Sequence, residues 1–288
     1  MSAQYRKEIK SFACNMTGAV FTVLVLVLTA IFSTAYNFRG GYPNFEYALA
    51  NVTFILFLAV PILTMRSFAE ERSQKTDQLL YSLPVGMPRI VLGKYLAMVT
   101  VFGVSVAFMC IYPLILSMYG TVNFASAYSA IFGFFLLGCV LIAIGMFIST
   151  LTESQVIAAV ITFGTFIIIY LLRSLANFIP TSASATLWCF VFLAVIAGIV
   201  IYVLLKNSVA ATAASAAIIV AVTIVYFVKS ELLEGLFPNI LKQLAVFDRL
   251  STFTEQGIFD ISGVVYYLTA IGLFVYFTVR SMEKRRWA

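Results

Sequence analysis

Residues 128–151 read YSAIFGFFLLGCVLIAIGMFISTL and are followed at 152–155 by TESQ. The stretch holds no Asp, Glu, Lys or Arg. About 20 such residues in a helix span the hydrocarbon core of a bilayer. A helix satisfies its backbone hydrogen bonds within itself, as a chain crossing lipid must. Working outward, the same reading finds apolar runs at 18–36, 49–65, 95–119, 155–175, 186–205, 208–228 and 261–279. Together they predict an all-α, polytopic transmembrane helical bundle of eight spans. Only Lys206 and Asn207 separate the sixth and seventh, which implies a tight helical hairpin. Merging or losing that pair gives six. Both counts leave the two termini on one side.

Composition points the same way. Of 288 residues, 62% are hydrophobic and 10% charged, whereas a soluble domain carries about a quarter charged residues. The net charge of +6 comes from Lys and Arg clustered beside apolar runs, the pattern of membrane topology signals, so no nucleic-acid partner is expected. Histidine is absent, which removes Ser-His and Cys-His catalysis and the commonest metal ligand. Cys14, Cys110, Cys139 and Cys189 show no C-x-x-C spacing and read as small apolar side chains. No catalytic, cofactor or metal residues are assigned, and the chain is not expected to be an enzyme.

The basic residues set the expected orientation. With the N-terminus inside, thirteen of the 18 Lys and Arg lie on the cytoplasmic side, while Arg39, Arg173, Lys229, Lys242 and Arg249 lie outside. Such an asymmetry is the signature of cytoplasmic loops. Both termini are therefore expected in the cytoplasm, in a multi-pass protein of a prokaryotic plasma membrane.

Residues 1–16 form the first expected unit, and 17–288 a single transmembrane domain. In the former, Tyr5, Ile9, Phe12 and Met16 share one side of a helical wheel, opposite Arg6, Lys7 and Lys10. This is either an interfacial helix lying on the cytoplasmic leaflet or a basic flank that helps insertion. The apolar core that follows is too long for a secretory leader, so retention is expected.

The longest cytoplasmic loop, 66–94, begins RSFAEERSQKTDQLL and is then broken by Pro84, Gly86 and Pro88. Helix formers with charges of both signs, an apolar pair and a proline turn imply a short surface helix followed by re-entry into the membrane. It is either a projecting helix suited to a partner's groove or a solvated connector. Gly86, Gly93 and Lys94 do not make a phosphate-binding loop: six residues separate the glycines and Tyr95 stands where Ser or Thr is needed. The outer segment 229–260 offers a short amphipathic helix over 238–250, with Ile240, Leu241, Leu244 and Phe247 on one side, as a lid or as a connector. Ionisable residues are nearly absent from the spans, which weighs against an ion-driven carrier and a charged-ring channel. Ala213, Ala217 and Ala221 suggest a packing seam.

Residues 63–72, LTMRSFAEER, with 76–80, TDQLL, and 90–97, IVLGKYLA, resemble permeases of the ABC-2 type, nearest to the gliding-motility-associated kind. STLTESQ at 149–155, FDRLS at 247–251, GIFD at 257–260 and the ending MEKRR at 282–286 fit the same resemblance. It implies a transmembrane domain like that of type V exporters and an ATP-driven assembly of two membrane subunits, a second copy or a paralogue, with two separate ATP-binding subunits. ATP and magnesium would be bound by those partners. An extracytoplasmic accessory protein and membrane lipid complete the expected partners. By the same resemblance, residues 68–83 would be the coupling helix, with Phe68, Glu70, Glu71, Arg72, Thr76, Gln78 and Leu79 at the ATPase contact and Glu153 at a second, smaller one. Tyr5, Ile9 and Phe12 would belong to an elbow helix. Such permeases usually have six spans, so the hairpin over 186–228 is a departure. The expectation is export of an apolar or amphipathic substrate; the alternative is a secondary carrier or channel that works without ATP.

Overall fold

The computed structural model describes residues 2–14, 16–76, 86–205, 208–228, 233–254 and 259–286, and among them there is helix and no strand. Two compact units are distinguished, Met1–Ile168 with Arg249–Ala288, and Ile169–Asp248.

In the first unit, α1 (Ser2–Cys14) precedes α2 (Met16–Ser33). A π-helical turn, Thr34–Arg39, prolongs α2. Buried Asn37 then donates its amide to the carbonyls of Tyr42 (2.8 Å) and Asn44 (3.0 Å), which fixes the reversal into α3 (Phe45–Val52). A 3-10 turn at Thr53–Ile55 leads into α4 (Leu56–Thr64), which contains the buried Pro61. Proline has no N–H, so position 61 donates no rung to the helical ladder. The short α5 (Ala69–Ser73) follows. Next come α6 (Met87–Met109), α7 (Ile111–Leu116) and α8 (Phe124–Leu151). The helix α9 (Gln155–Phe178) leaves this unit, and α13 (Asp248–Thr254) and α14 (Ile261–Arg286) complete it.

Residues 128–151 lie in α8, the axis of this unit. In α8, 83% of the apolar window is buried, and the helix packs on α3, α4, α6 and α14. Close approach explains how one helix accepts so many neighbours. A Cβ at Gly138 would collide with the Phe102 ring, and one at Gly145 with the side chain of Thr64, so hydrogen at these two positions lets the neighbours in. Phe102 in turn meets Phe21, Phe134 and Phe135 at centroid distances of 6.1, 5.8 and 5.8 Å. The small-residue seam therefore runs along α8. Ala217 and Ala221, two of the three alanines expected to form it, are exposed.

Among the described residues, six helices are long and apolar enough to cross a membrane: Met16–Arg39, Phe45–Ser73, Met87–Leu116, Phe124–Leu151, Gln155–Phe178 and Ile261–Arg285. They correspond to six of the expected spans. The other two are helices, α10 (Ala183–Leu205) and α11 (Ser208–Val228), packed on each other in the second unit. Their apolar stretches among the described residues, Ala183–Ile196 and Ser215–Ile224, are shorter.

Several boundaries differ from expectation for one reason: a helix does not stop where its hydropathy does. The third span begins at Met87 rather than 95, which carries Lys94 into α6, and the second begins at Phe45 rather than 49, which carries Glu46 into α3. Both charges are buried, Lys94 at 3% exposure and Glu46 at 4%. The spans are thus less bare of charge than the sequence implies. The outer segment also differs. Gly235, at φ +68°, opens α12 (Leu236–Leu244), and the helix ends at Leu244 instead of continuing to 250. Phe237 of α12 packs edge-on against Phe190, while Ile240 and Leu244 are exposed. Residues 255–258 lie outside the described residues.

Candidate functional site

The site is built around α5, between α4 and the start of α6. Phe68, at the position before α5, offers no side-chain acceptor to the helix's free N–H groups. Ser149, in the last turn of α8 and fully buried, supplies one. Its Oγ accepts from the N–H of Phe68 (3.2 Å) and of Ala69 (3.1 Å), and donates to the Met65 carbonyl (3.4 Å). A hydroxyl can do all three at once, and it satisfies donors that every helix start leaves open. Arg72 then donates from Nη1 to the Thr152 carbonyl at 3.0 Å. These bonds fasten α5 to the end of α8.

The far end of α5 is closed by geometry alone. Lys75 adopts φ +55°, the Lys75 N–H donates to the Arg72 carbonyl (2.9 Å), and the Thr76 N–H donates to the Glu71 carbonyl (2.8 Å). This left-handed stop with paired return bonds is a Schellman motif. The helix expected over 68–83 therefore ends at Ser73 within the described residues. Periodicity misses the stop because Lys, unlike Gly, carries no sequence signal for positive φ.

Lys94 joins this loop to α1. Its Nζ donates to the Ser67 carbonyl (2.7 Å) and to Glu71 Oε1 (2.7 Å), and lies 3.3 Å from Glu8 Oε1. It also stands 5.0 Å from the Phe68 ring centroid, within reach of a cation–π contact. Two of the ammonium's protons thus have acceptors, and the Glu8 carboxylate adds a second ion pair. Tyr5 completes the attachment of α1 to α6. The Thr100 hydroxyl gives its proton to the Leu96 carbonyl (2.8 Å), so the Tyr5 hydroxyl donates to Thr100 at 3.0 Å.

The residues expected to matter divide into two groups. Phe68 is buried at 1%, Arg72 at 8%, and Glu71 faces Lys94; these three are held inside the chain. Glu70 is partly exposed and pairs with Arg66 at 3.5 Å, and Thr76 and Glu153 are exposed. Gln78 and Leu79 lie outside the described residues. In α1, Phe12 is buried and Tyr5 and Ile9 are half-buried. Ser67 Oγ, Arg72 Nη2 and Thr152 Oγ1 are buried at this site without a hydrogen-bond partner among the described residues. Buried polar atoms are normally satisfied, so three together mark unused bonding capacity.

A family model for the ABC-2 family transporter protein matches residues 26–230. The chain belongs to the ABC-2 transporter family. No curated protein matches it individually. The matched region takes in α5, the Ser149 cap and Lys94, while Glu8 and Tyr5 of α1 precede it. An ABC-2 membrane domain is a transport subunit of a multi-pass membrane protein, and the family in general works with an ABC ATPase. Among the described residues of this ABC-2 chain, no group of three or more His, Cys, Asp or Glu could hold a metal ion.

Sequence reading of the ABC-2 chain missed three contributors, Glu8, Lys94 and Ser149. Glu8 carried a signal, as the one acidic residue in an otherwise basic helix. Lys94 and Ser149 carried none, because each owes its role to residues far away in the chain.

Proposed function

We propose that the chain is the permease subunit of an ATP-driven exporter. It works as a pair, with a second copy or a paralogue, and draws energy from two ABC ATP-binding subunits that bind ATP and magnesium. The carrying observation is the way α5 is fastened. Ser149 ties it to α8, and Lys94 ties it to α6 and α1, so a force on α5 reaches three long elements through short polar bonds. Packed, hydrogen-bonded elements shift as bodies between discrete arrangements.

In this reading the ATPase contact is the exposed face of the loop, with Glu70, Thr76 and Glu153, and with Gln78 and Leu79 by resemblance to the family. Phe68, Glu71 and Arg72 stand behind that face and pass its displacement on. The loop and both termini face the cytoplasm of a prokaryotic plasma membrane, as the distribution of Lys and Arg supports. The short motifs over 63–97 support placement in the gliding-motility-associated branch, and the largely apolar spans suit an apolar or amphipathic substrate. An extracytoplasmic accessory protein belongs to the same proposal. The test is co-purification with the ATPase encoded in an adjacent reading frame, followed by ATP-dependent transport in proteoliposomes. Transport that survives complete ATP depletion refutes the proposal.

A second reading, an ion-coupled carrier, has one observation in its favour. Glu46 is buried in α3, and its Oε2 has no hydrogen-bond partner among the described residues. A carboxylate in such a place can bind a proton or a cation. Glu46→Gln would then abolish transport driven by an ion gradient, whereas an ATP-driven permease would keep its ATP dependence.

A further inference from the structure

The cations around α5 are not matched alike. Arg66 pairs with Glu70 (3.5 Å), and Lys94 takes both Glu71 (2.7 Å) and Glu8 (3.3 Å). Arg72, 8% exposed, pairs with no carboxylate among the described residues. Its Nη1 donates to the Thr152 carbonyl (3.0 Å), while Nη2 is buried without a partner among those residues. Buried charges are ordinarily paired and hydrogen-bonded. A guanidinium holds five N–H donors in a rigid fork, so a carbonyl on one arm leaves the protons of the other unused.

Thr152 adds a second unused donor. Its Oγ1 is buried without a partner among the described residues, on the same residue whose carbonyl Arg72 already holds. Two donors, one of them cationic, thus flank a single hydrogen bond between α5 and the end of α8. The protein group that suits both is a carboxylate, which has two acceptor oxygens and the charge that the guanidinium lacks. Among the described acids of this loop, Glu70 and Glu71 are engaged with other cations, and so is Glu8 of α1. Glu153 follows Thr152 directly, yet it is exposed and forms no ion pair among the described residues. The charges therefore favour an acid brought by the protein that docks on the loop.

We propose that Arg72 Nη2 and Thr152 Oγ1 together receive an Asp or Glu carboxylate of the ABC ATPase. This rests on the reading that the ATPase docks on the α5 loop, and it names the chemistry of one contact there. Arg72 stands behind the loop's exposed face, and side-chain rotamers commonly shift when an interface forms. The incoming acid then touches α5 and the end of α8 at once, so a single partner side chain grips two helices.

Binding of the detergent-purified chain to the purified ATPase encoded in an adjacent reading frame tests this. Thr152→Val keeps the side chain's shape and removes a hydroxyl that the free chain leaves unbonded, so the melting temperature of the chain alone should hold or rise. Its Kd for the ATPase should rise about tenfold, the size of one hydrogen bond to a charged group. Arg72→Glu should abolish binding, and changing one acidic residue of the ATPase to Arg should restore it. Restoration by Glu153→Arg, or by Asp77→Arg outside the described residues, would make the acid the permease's own and overturn the proposal. An unchanged Kd for Thr152→Val overturns it as well, and that variant decides the matter even if Arg72→Glu does not fold. A wild-type chain that binds no ATPase removes the docking reading itself, whereas wild-type binding with an unaffected Thr152→Val removes this contact alone.

Discussion

The Lys94 ammonium donates to the Glu71 carboxylate at 2.7 Å, and only 4% of the lysine side chain and 19% of the glutamate side chain are exposed. Opposite charges this enclosed depend on each other, because removing one leaves the other desolvated and unpaired. Lys94→Met should therefore destabilise the chain by about 3 kcal/mol or more. Glu8 and Glu71 would lose their common partner together. Thermal unfolding in detergent gives the measurement, and Lys94→Met combined with Glu71→Met should recover part of the loss, as coupled sites do. Additive effects would show that the pair does not act as one.

Glu70 and Glu71 are neighbours with opposite prospects. Glu70 sits partly exposed beside Arg66, so Glu70→Lys should leave expression and monodispersity unchanged while weakening stimulation of the partner ATPase. Glu71→Lys brings a second cation against Lys94 and should fail at the folding stage. Size-exclusion profiles and coupled ATPase assays separate the two. Equal behaviour would contradict the division between an outer and an inner face.

Ser149→Ala removes an acceptor from two buried N–H groups, a loss of about 1–3 kcal/mol. If α5 relays force through this hydroxyl, transport per ATP hydrolysed should fall further than stability does. Ser149→Thr, which restores the hydroxyl, should recover part of the coupling. An unchanged transport-to-hydrolysis ratio in Ser149→Ala would dismiss the relay.

Gly138→Ala tests the axis of the bundle. The added methyl meets the Phe102 ring, and overfilling a packed interior costs about 1–3 kcal/mol. Phe102→Leu should partly rescue it, as a shift in melting temperature would record.

Orientation can be read chemically. Thr76→Cys should react with an impermeant thiol reagent only in inverted vesicles, and Met118→Cys, whose position is 82% exposed beyond α7, only in intact cells. The reverse pattern would place the α5 loop outside and remove it from any cytoplasmic motor.

The bundle was legible because its signal is local. The charge-free run at 128–151 is a span by its own composition, and so are the five runs that became the other long helices. The site was legible as a place, the loop after residue 66, but not as a structure. Lys94 stood past the polar end of an apolar window and therefore read as part of a loop. It is buried because the Ser67 carbonyl and Glu71 accept its protons and Glu8 pairs with its charge from elsewhere in the chain. The early stop of α5 was hidden for a related reason. Lys75 takes a backbone conformation typical of glycine, and only the return bonds to Glu71 and Arg72 reveal it.

Pro61 gives the second span a joint. The rod that begins at Phe45 and ends beside α5 is not one continuous ladder, since a 3-10 turn interrupts it at Thr53–Ile55 and the proline omits a rung farther along. A missing rung lets a helix bend there. The stretch that ends beside α5 and the stretch that follows the Asn37-fixed reversal are therefore not parts of one unbroken ladder. In mechanical terms the span is built as a jointed rod rather than a single stiff one.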